Sequence, residues 1–329
     1  ASGYARASGK VGVVMVTSGP GATNTVTPVR DCMADSIPIV VITGQVPTAA
    51  IGSDGFQEAP IANIMGAVAK HIFLVTEPEK LEDTMRTAFE IARTGRPGPV
   101  VVDIPKDVQN WVGTFKGRGR LPVRGYRERM HHLISSELNT DKRKQFFDAL
   151  AQAQRPLIYA GGGVINGEAA QALRAFADAF EIPVVTTLMG IGAYDTTQPR
   201  ALHMLGMHGT YEANMAMDGA DLVIALGARF DDRVTNNPEK FSPKATIIHM
   251  DVDAASINKI IDAHIPLLGD GSWVLEQLSA RLAQALQDQD DAAEQARAQG
   301  LKVWWQQINE WRAANGLNHN LKAQAGKPI

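Results

Sequence analysis

Several groups of residues in this sequence of 329 residues have types and spacings suited to chemistry. The first is Thr17-Ser18-Gly19-Pro20-Gly21-Ala22-Thr23-Asn24, directly after a β-branched run. Glycines there allow a tight turn and close approach by a ligand, and a helix beginning at Ala22 would aim free amides at it. A purely structural strand-to-helix turn explains the same residues. The pattern matches neither the Walker nor the dinucleotide fingerprint. The second group is Thr43-Gly44-Gln45-Val46-Pro47 followed by Gly52-Ser53-Asp54-Gly55-Phe56-Gln57-Glu58. A long loop at the carboxyl end of a strand, carrying an aromatic and several polar groups, suits a ligand. In the third, Arg96-Pro97-Gly98-Pro99 leads into a strand that ends at Asp103-Ile104-Pro105-Lys106-Asp107. Lys106 is either a surface lysine paired with Asp107 or a cation that holds a small anionic substrate.

The fourth group is spread over the second half. Gly161, Gly162 and Gly163 follow one strand, and Thr187-Leu188-Met189-Gly190 follows the next. Leu205-Gly206-Met207-His208-Gly209 precedes a helix. Gly227-Ala228-Arg229-Phe230-Asp231-Asp232-Arg233-Val234, Asp251 with Asp253, and Gly269-Asp270 complete the set. Ligand-type residues repeated at strand carboxyl ends describe a nucleotide site. A surface salt-bridge cluster is the competing explanation for Arg229 to Arg233. Metal and nucleophile readings find little support. His203 and His208 lie five apart, off a common helical face, and there is no HExxH, EF-hand or GxSxG pattern.

These residues need elements to position them. Short β-branched runs alternate with amphipathic stretches of helical length, the pattern of α/β units around parallel sheets. Strands are expected at residues 11–17, 37–43, 99–104, 156–160, 183–187, 221–226 and 246–251, and helices at 79–93, 168–179 and 210–217. The fold class is therefore α/β, with two doubly wound parallel-sheet domains, the second Rossmann-like. Between them a Gly- and Arg-rich stretch reads as a solvated linker. Residues 288–291 (DQDD) read as a polar break before Trp304, Trp305 and Trp311, whose helical spacing suits packing. A net charge of −3 gives no reason to expect nucleic acid or an anionic membrane. No apolar run is long enough for a membrane span. A single cysteine, Cys32, suits a reducing, cytoplasmic setting.

The ordered set TSGPGATN, ITGQVP, IGSDGFQE, RPGPVVVDIPKDV, GGGVI, TTLMG, LGMHG and GARFDDRVT resembles the large catalytic subunits of the acetolactate synthase (acetohydroxyacid synthase) family. The resemblance runs from Ala1 to about Asp270 and fades after Ser272. It implies an enzyme that uses thiamine diphosphate, FAD and Mg²⁺. Its reaction would decarboxylate pyruvate and join the two-carbon remainder to a second pyruvate or to 2-ketobutyrate, on the route to valine, leucine and isoleucine. On that expectation residues 1–111 are the rear of a pyrimidine-binding domain and 112–136 a linker. Residues 137–288 are a central FAD domain, and 289–329 lead to a diphosphate-binding domain. The family's catalytic glutamate and its metal and diphosphate ligands would fall outside the chain, which is then expected to be an inactive fragment.

The resemblance also implies roles. Pro20, Asn24 and Gln57 would lie near the thiamine pyrimidine and the reaction centre, with Phe56 and Lys106 bordering the substrate channel. Arg96, Gly161, Gly162, Gly163, Thr187, Leu188, Gly206, Met207, His208, Gly227, Ala228, Arg229, Asp231, Arg233, Val234, Asp251 and Asp270 would contact FAD. No residue is expected to bind metal. Gly55 and Ser53 stand where alanine and threonine are usual. A homodimer or homotetramer, with a regulatory small subunit, is implied as well. The rival readings are glyoxylate carboligase, for which a non-lysine at position 106 and no LGMHG would be expected, and a non-catalytic nucleotide-binding module.

Overall fold

Parallel pairing governs every strand of the computed structural model, which describes residues 1–114, 140–271, 275 and 291–317. The chain divides into two units, Ala1–His132 and Leu133–Ile329. In the first, β1 (Gly12–Val16), β2 (Ile39–Gln45), β3 (His71–Leu74) and β4 (Val100–Pro105) form a sheet of order β1-β2-β4-β3. All six residues of β4 are buried, as a strand covered on both faces requires, which explains its nearly unbroken apolar sequence. The helix Leu81–Arg93 covers it with Ala88 and Ala92, and its charges complement the helix dipole: Glu82 and Asp83 open it and Arg93 closes it.

The second unit holds β5 (Pro156–Ala160), β6 (Val184–Thr186), β7 (Ala201–Met204), β8 (Leu222–Leu226), β9 (Thr246–Asp251) and β10 (Ile265–Leu268). Their order is β10-β9-β8-β5-β6-β7. In chain order that is 6-5-4-1-2-3, the doubly wound dinucleotide-binding arrangement, whose direction reverses between β5 and β8. Side chains alternate between two cores, as the period of a strand demands. Ile158 and Ile224 point toward Phe146, Leu173, Phe176 and Phe180, whereas Leu157, Tyr159 and Val223 point toward Leu301, Trp304 and Ile308. Each of these fully buried phenylalanines stabilises the fold by about 2–3 kcal/mol. The tryptophans pack, as their spacing suggests. Trp304 stands edge-on to Trp311 at 5.7 Å, and its indole N–H donates to the Pro156 carbonyl (3.2 Å). Trp305 donates to Glu181 O (2.8 Å).

The seven expected strands are all present. The three that sequence reasoning passed over, β3, β7 and β10, have four residues each and lie at sheet edges. An edge strand needs one neighbour only and tolerates a polar or proline-bearing sequence, such as HIFL or IPLL. The expected linker lies outside the described residues except for 112–114, and of the expected polar break only Asp291 is described.

Candidate functional site

In the first unit the carboxyl ends of β1, β2 and β4 gather the sequence-flagged loops. The turn after β1 packs directly on the loop after β2: a Cβ at Gly19, whose φ is 58°, would come within 2.6 Å of the Gln57 carbonyl oxygen. Only glycine takes that conformation against that neighbour. The helix Pro20–Thr23 therefore begins two residues before the expected Ala22. Pro20, Asn24 and Gln57 are exposed, and Phe56 is 90% exposed. Gln57 also has a positive φ of 60°, a costly conformation for a residue with a side chain. Glu58 holds this corner in place. Its carboxylate accepts the amides of Gly52 and Gly55, and those bonds hold it below the usual carboxylate range.

Beneath these loops Thr43 and Gln45 of the second flagged group meet Asp103 of the third in a polar cluster that sequence reasoning did not foresee. β2 and β4 pair with Thr43 opposite Asp103. The buried Asp103 accepts from Thr43 Oγ1 (2.7 Å) and Gln45 Nε2 (3.0 Å). Burial raises its pKa, against the lowering effect of the two donors. Gln45 also donates to the Ala59 carbonyl (3.0 Å), tying the loop to the sheet. A carboxylate inside the otherwise apolar VVVDIP was the available signal.

Lys106 stands at the carboxyl end of β4, exposed, with no ion pair among the described residues. Its expected surface partner, Asp107, instead accepts from Thr48 N (2.9 Å) and Thr48 Oγ1 (3.1 Å), bracing the β2 loop. Arg96 is placed elsewhere. It precedes β4 at the amino end of the sheet, where its guanidinium donates to Ser36 Oγ (2.9 Å) and to the carbonyls of Met33 and Ala34. The structure thus brings Pro20, Gln57 and Lys106 to one end of the sheet and leaves Arg96 at the other.

In the second unit the flagged loops converge on the crevice between β5 and β8. A Cβ at Gly161 would lie 2.1 Å from the Gly227 carbonyl oxygen, and one at Gly163 would lie 2.6 Å from Gly227 Cα. Gly163 N donates to Gly227 O (3.0 Å), and Gly227 itself has a φ of 54°. Backbone-on-backbone packing at the switch point thus demands glycine at all three positions, whatever binds there. Thr187 caps the turn Leu188–Gly190 through Gly190 N (2.9 Å), and that turn presses on β5, where a Gly190 Cβ would sit 2.4 Å from Ala160 O. Gly206, with a φ of 100°, lies against Arg233 and Val234, and Met207 N donates to Arg233 O (2.9 Å). On the other flank Asp251 O accepts from Gly269 N (3.0 Å), and Asp270 lies beside Gly167. All the flagged residues of this unit therefore share one sheet end.

The surface of that end is mixed. Leu188 (69%), Met207 (64%) and Ile191 (53%) are exposed, an unusual density of large apolar groups on one rim. His208, Arg229 and Arg233 are exposed among them. The salt-bridge alternative is realised in part: Arg229 pairs with Asp231 (2.8 Å) and Arg233 with Asp232 (3.3 Å). Both pairs are solvent-facing, so each contributes at most about 1 kcal/mol. An apolar rim and two exposed guanidiniums at the switch point of the sheet would suit a dinucleotide with a large planar ring. Among the described residues no group of three or more His, Cys, Asp and Glu could hold a metal ion. No described helix is long and apolar enough to cross a membrane.

Two family models match this chain. Residues 1–66 match the thiamine pyrophosphate enzyme N-terminal TPP binding domain, and 144–278 match the thiamine pyrophosphate enzyme central domain. The chain is 43% identical over 337 residues to the acetolactate synthase isozyme 3 large subunit of Escherichia coli, covering all of this chain and 55% of that protein. It is 44% identical over 329 residues to the acetolactate synthase large subunit of Haemophilus influenzae, with the same coverage. The mitochondrial acetolactate synthase catalytic subunit of Saccharomyces cerevisiae is 41% identical over 95% of this chain and 45% of its own length. The chain thus spans about half the length of the curated relatives it matches. With two consecutive domain types and whole-chain similarity, it belongs to the thiamine pyrophosphate enzyme family.

Proposed function

We propose that this chain works within an acetolactate synthase large subunit, joining the two-carbon remainder of pyruvate to pyruvate or 2-ketobutyrate. The observation that carries the reading is similarity along the whole chain, at 41–44% identity, to three acetolactate synthases. In this reading residues 1–111 belong to the pyrimidine-binding domain, 112–136 link it to a central FAD domain at 137–288, and 289–329 form a tail. The assembly is a homodimer or homotetramer with a regulatory small subunit, in the cytoplasm. Among the described residues no cluster of His, Cys, Asp and Glu could hold Mg²⁺.

Thiamine diphosphate, when bound, supplies a nucleophilic carbon and an electron sink for decarboxylating a 2-keto acid. The chain's own residues orient and shield. Asn24 and Gln57 offer exposed amides to a pyrimidine beside Pro20. Lys106 offers a cation to the substrate carboxylate. Phe56 and Pro47 form an apolar wall that excludes water near the departing carbon dioxide. FAD, held by Gly161, Gly162, Gly163, Thr187, Leu188, Gly206, Met207, His208, Gly227, Ala228, Arg229, Asp231, Arg233, Val234, Asp251 and Asp270, shapes the second unit.

The complete subunit, assayed with pyruvate, thiamine diphosphate, Mg²⁺ and FAD, is expected to form acetolactate, measured as acetoin after acid treatment. Lys106→Ala should lose most of that turnover. Condensation of glyoxylate with no acetolactate from pyruvate would favour the carboligase reading, and near-normal turnover by Lys106→Ala would remove the lysine from the substrate site.

A further inference from the structure

One polar residue stands among the buried positions of β9. In TIIHMD, His249 is fully buried, where the neighbouring strands carry aliphatic residues. Tyr159 of β5 pairs with Ala225 of β8, and Ala225 pairs with His249, so the three form one row across the sheet. The small central alanine leaves a saddle between two rings. Phe230 sits in it, 4.9 Å from His249 and nearly perpendicular (86°), and 5.6 Å from Tyr159. Phe230 belongs to the loop after β8 and has a positive φ of 52°.

Ring packing alone does not require histidine, since a leucine or phenylalanine would also fill this space. The hydrogen bond does: His249 Nε2 lies 2.8 Å from the Ala228 carbonyl oxygen. A carbonyl only accepts, so Nε2 carries a proton, and the buried Nδ1, unpartnered among the described residues, favours the neutral ring. Burial lowers the pKa to about 4, in keeping with that state. The flanking positions are fixed too. Gly227 N donates to Met250 O (2.8 Å), and Phe230 is wedged in its saddle. Arg229 is thereby pinned between two anchored neighbours, with its side chain turned to solvent.

We infer that His249 is a positioning residue of the second unit, fixing the 227–231 loop so that Arg229 and its neighbours face a bound dinucleotide. The inference rests on the flavin reading above and adds to it a residue that touches no ligand.

Glutamine and asparagine separate the donor from simple polarity, because the glutamine amide reaches the Nε2 position and the asparagine amide only the Nδ1 position. Dissociation constants for FAD, from flavin fluorescence, should stay within about threefold for His249→Gln. They should weaken about tenfold or more for His249→Asn, which corresponds to ~1.4 kcal/mol. The visible circular dichroism of the remaining bound flavin should change in the asparagine variant only. Tyr159→Phe, in the same row without a bond to the loop, should bind as the parent does. Equal affinities for the two histidine variants would overturn the inference. Should neither variant fold, the parent protein still decides: the His249 Nε2 proton, followed by NMR, should shift when FAD is added, and an unmoved signal would overturn it. A folded parent that binds no FAD would instead contradict the flavin reading itself, and the inference with it.

Discussion

Arg96 apart, each unit places its candidate residues at the carboxyl end of its own parallel sheet, but the two ends are built from different materials. In the first, side chains do the positioning: Thr43 and Gln45 of β2 converge on the buried Asp103 of β4, and Glu58 gathers the amides of its own loop. In the second, backbone packs on backbone, with Gly161 and Gly163 against Gly227, and one histidine holds the loop above. A side-chain network can relax around a lost partner. A cradle of glycines cannot admit even one carbon. The second unit should therefore be the more brittle at its site.

The largest effect should come from that cradle. Gly161→Ala drives a methyl to 2.1 Å from a carbonyl oxygen, and the surrounding backbone must move. A loss of about 3 kcal/mol is expected, read by calorimetry as a lower melting temperature for the second unit. Gly21→Ala in the first unit is the matched comparison. The nearest atom there is a Thr17 methyl (2.6 Å), which can rotate away, so a loss below about 1 kcal/mol is expected. Equal losses would erase the distinction between the two units.

Acid should discriminate next. Below about pH 6.5 an unfolded histidine takes up a proton that the buried, neutral His249 takes up only near pH 4. Stability is therefore lost as pH falls through that window, by on the order of 3 kcal/mol, and His249→Gln should abolish this part of the dependence. Asp103 works in the opposite sense. Its pKa is raised by burial, so its contribution is present at low pH and is lost as pH rises through the carboxylate range. The midpoints of denaturant melts of the second unit should fall between pH 7 and pH 4, and unchanged midpoints would contradict the neutral, buried assignment of His249.

Thr43→Val tests the first unit's network by removing the hydroxyl that Asp103 accepts while preserving shape. A cost of roughly 2 kcal/mol is expected in urea melts, since a buried carboxylate oxygen loses its donor. The smallest change should be Trp305→Phe, which keeps an aromatic ring and forfeits the bond to Glu181 O, for about 1 kcal/mol or less.

How much of this could be read in the sequence follows the same division. Strands buried on both faces, such as PLIYA and DLVIAL, announce themselves by unbroken apolar runs, and the loops at their carboxyl ends follow directly. The edge strands did not announce themselves, because a strand with one neighbour needs less apolar surface. Glycine at 161, 163 and 227 was visible as a residue type, but its reason was not. The reason is a contact between loops more than sixty residues apart, created only when β5 and β8 become neighbours. Asp103 and His249 each showed as a polar letter between apolar neighbours, and their partners depend on register that the sequence does not print. Arg96 shows the converse. Its motif was plain, yet the structure seats its guanidinium on the end of the helix Val26–Ala34, at the amino end of the sheet.

The most direct test of the account is a crystal structure of the protein grown with FAD. The dinucleotide is expected to lie across the β5–β8 crevice, against Gly162 and Arg229, with its ring system over Leu188 and Met207. Flavin bound at another place on the second unit, or well-ordered crystals at saturating FAD with an empty crevice, would contradict it.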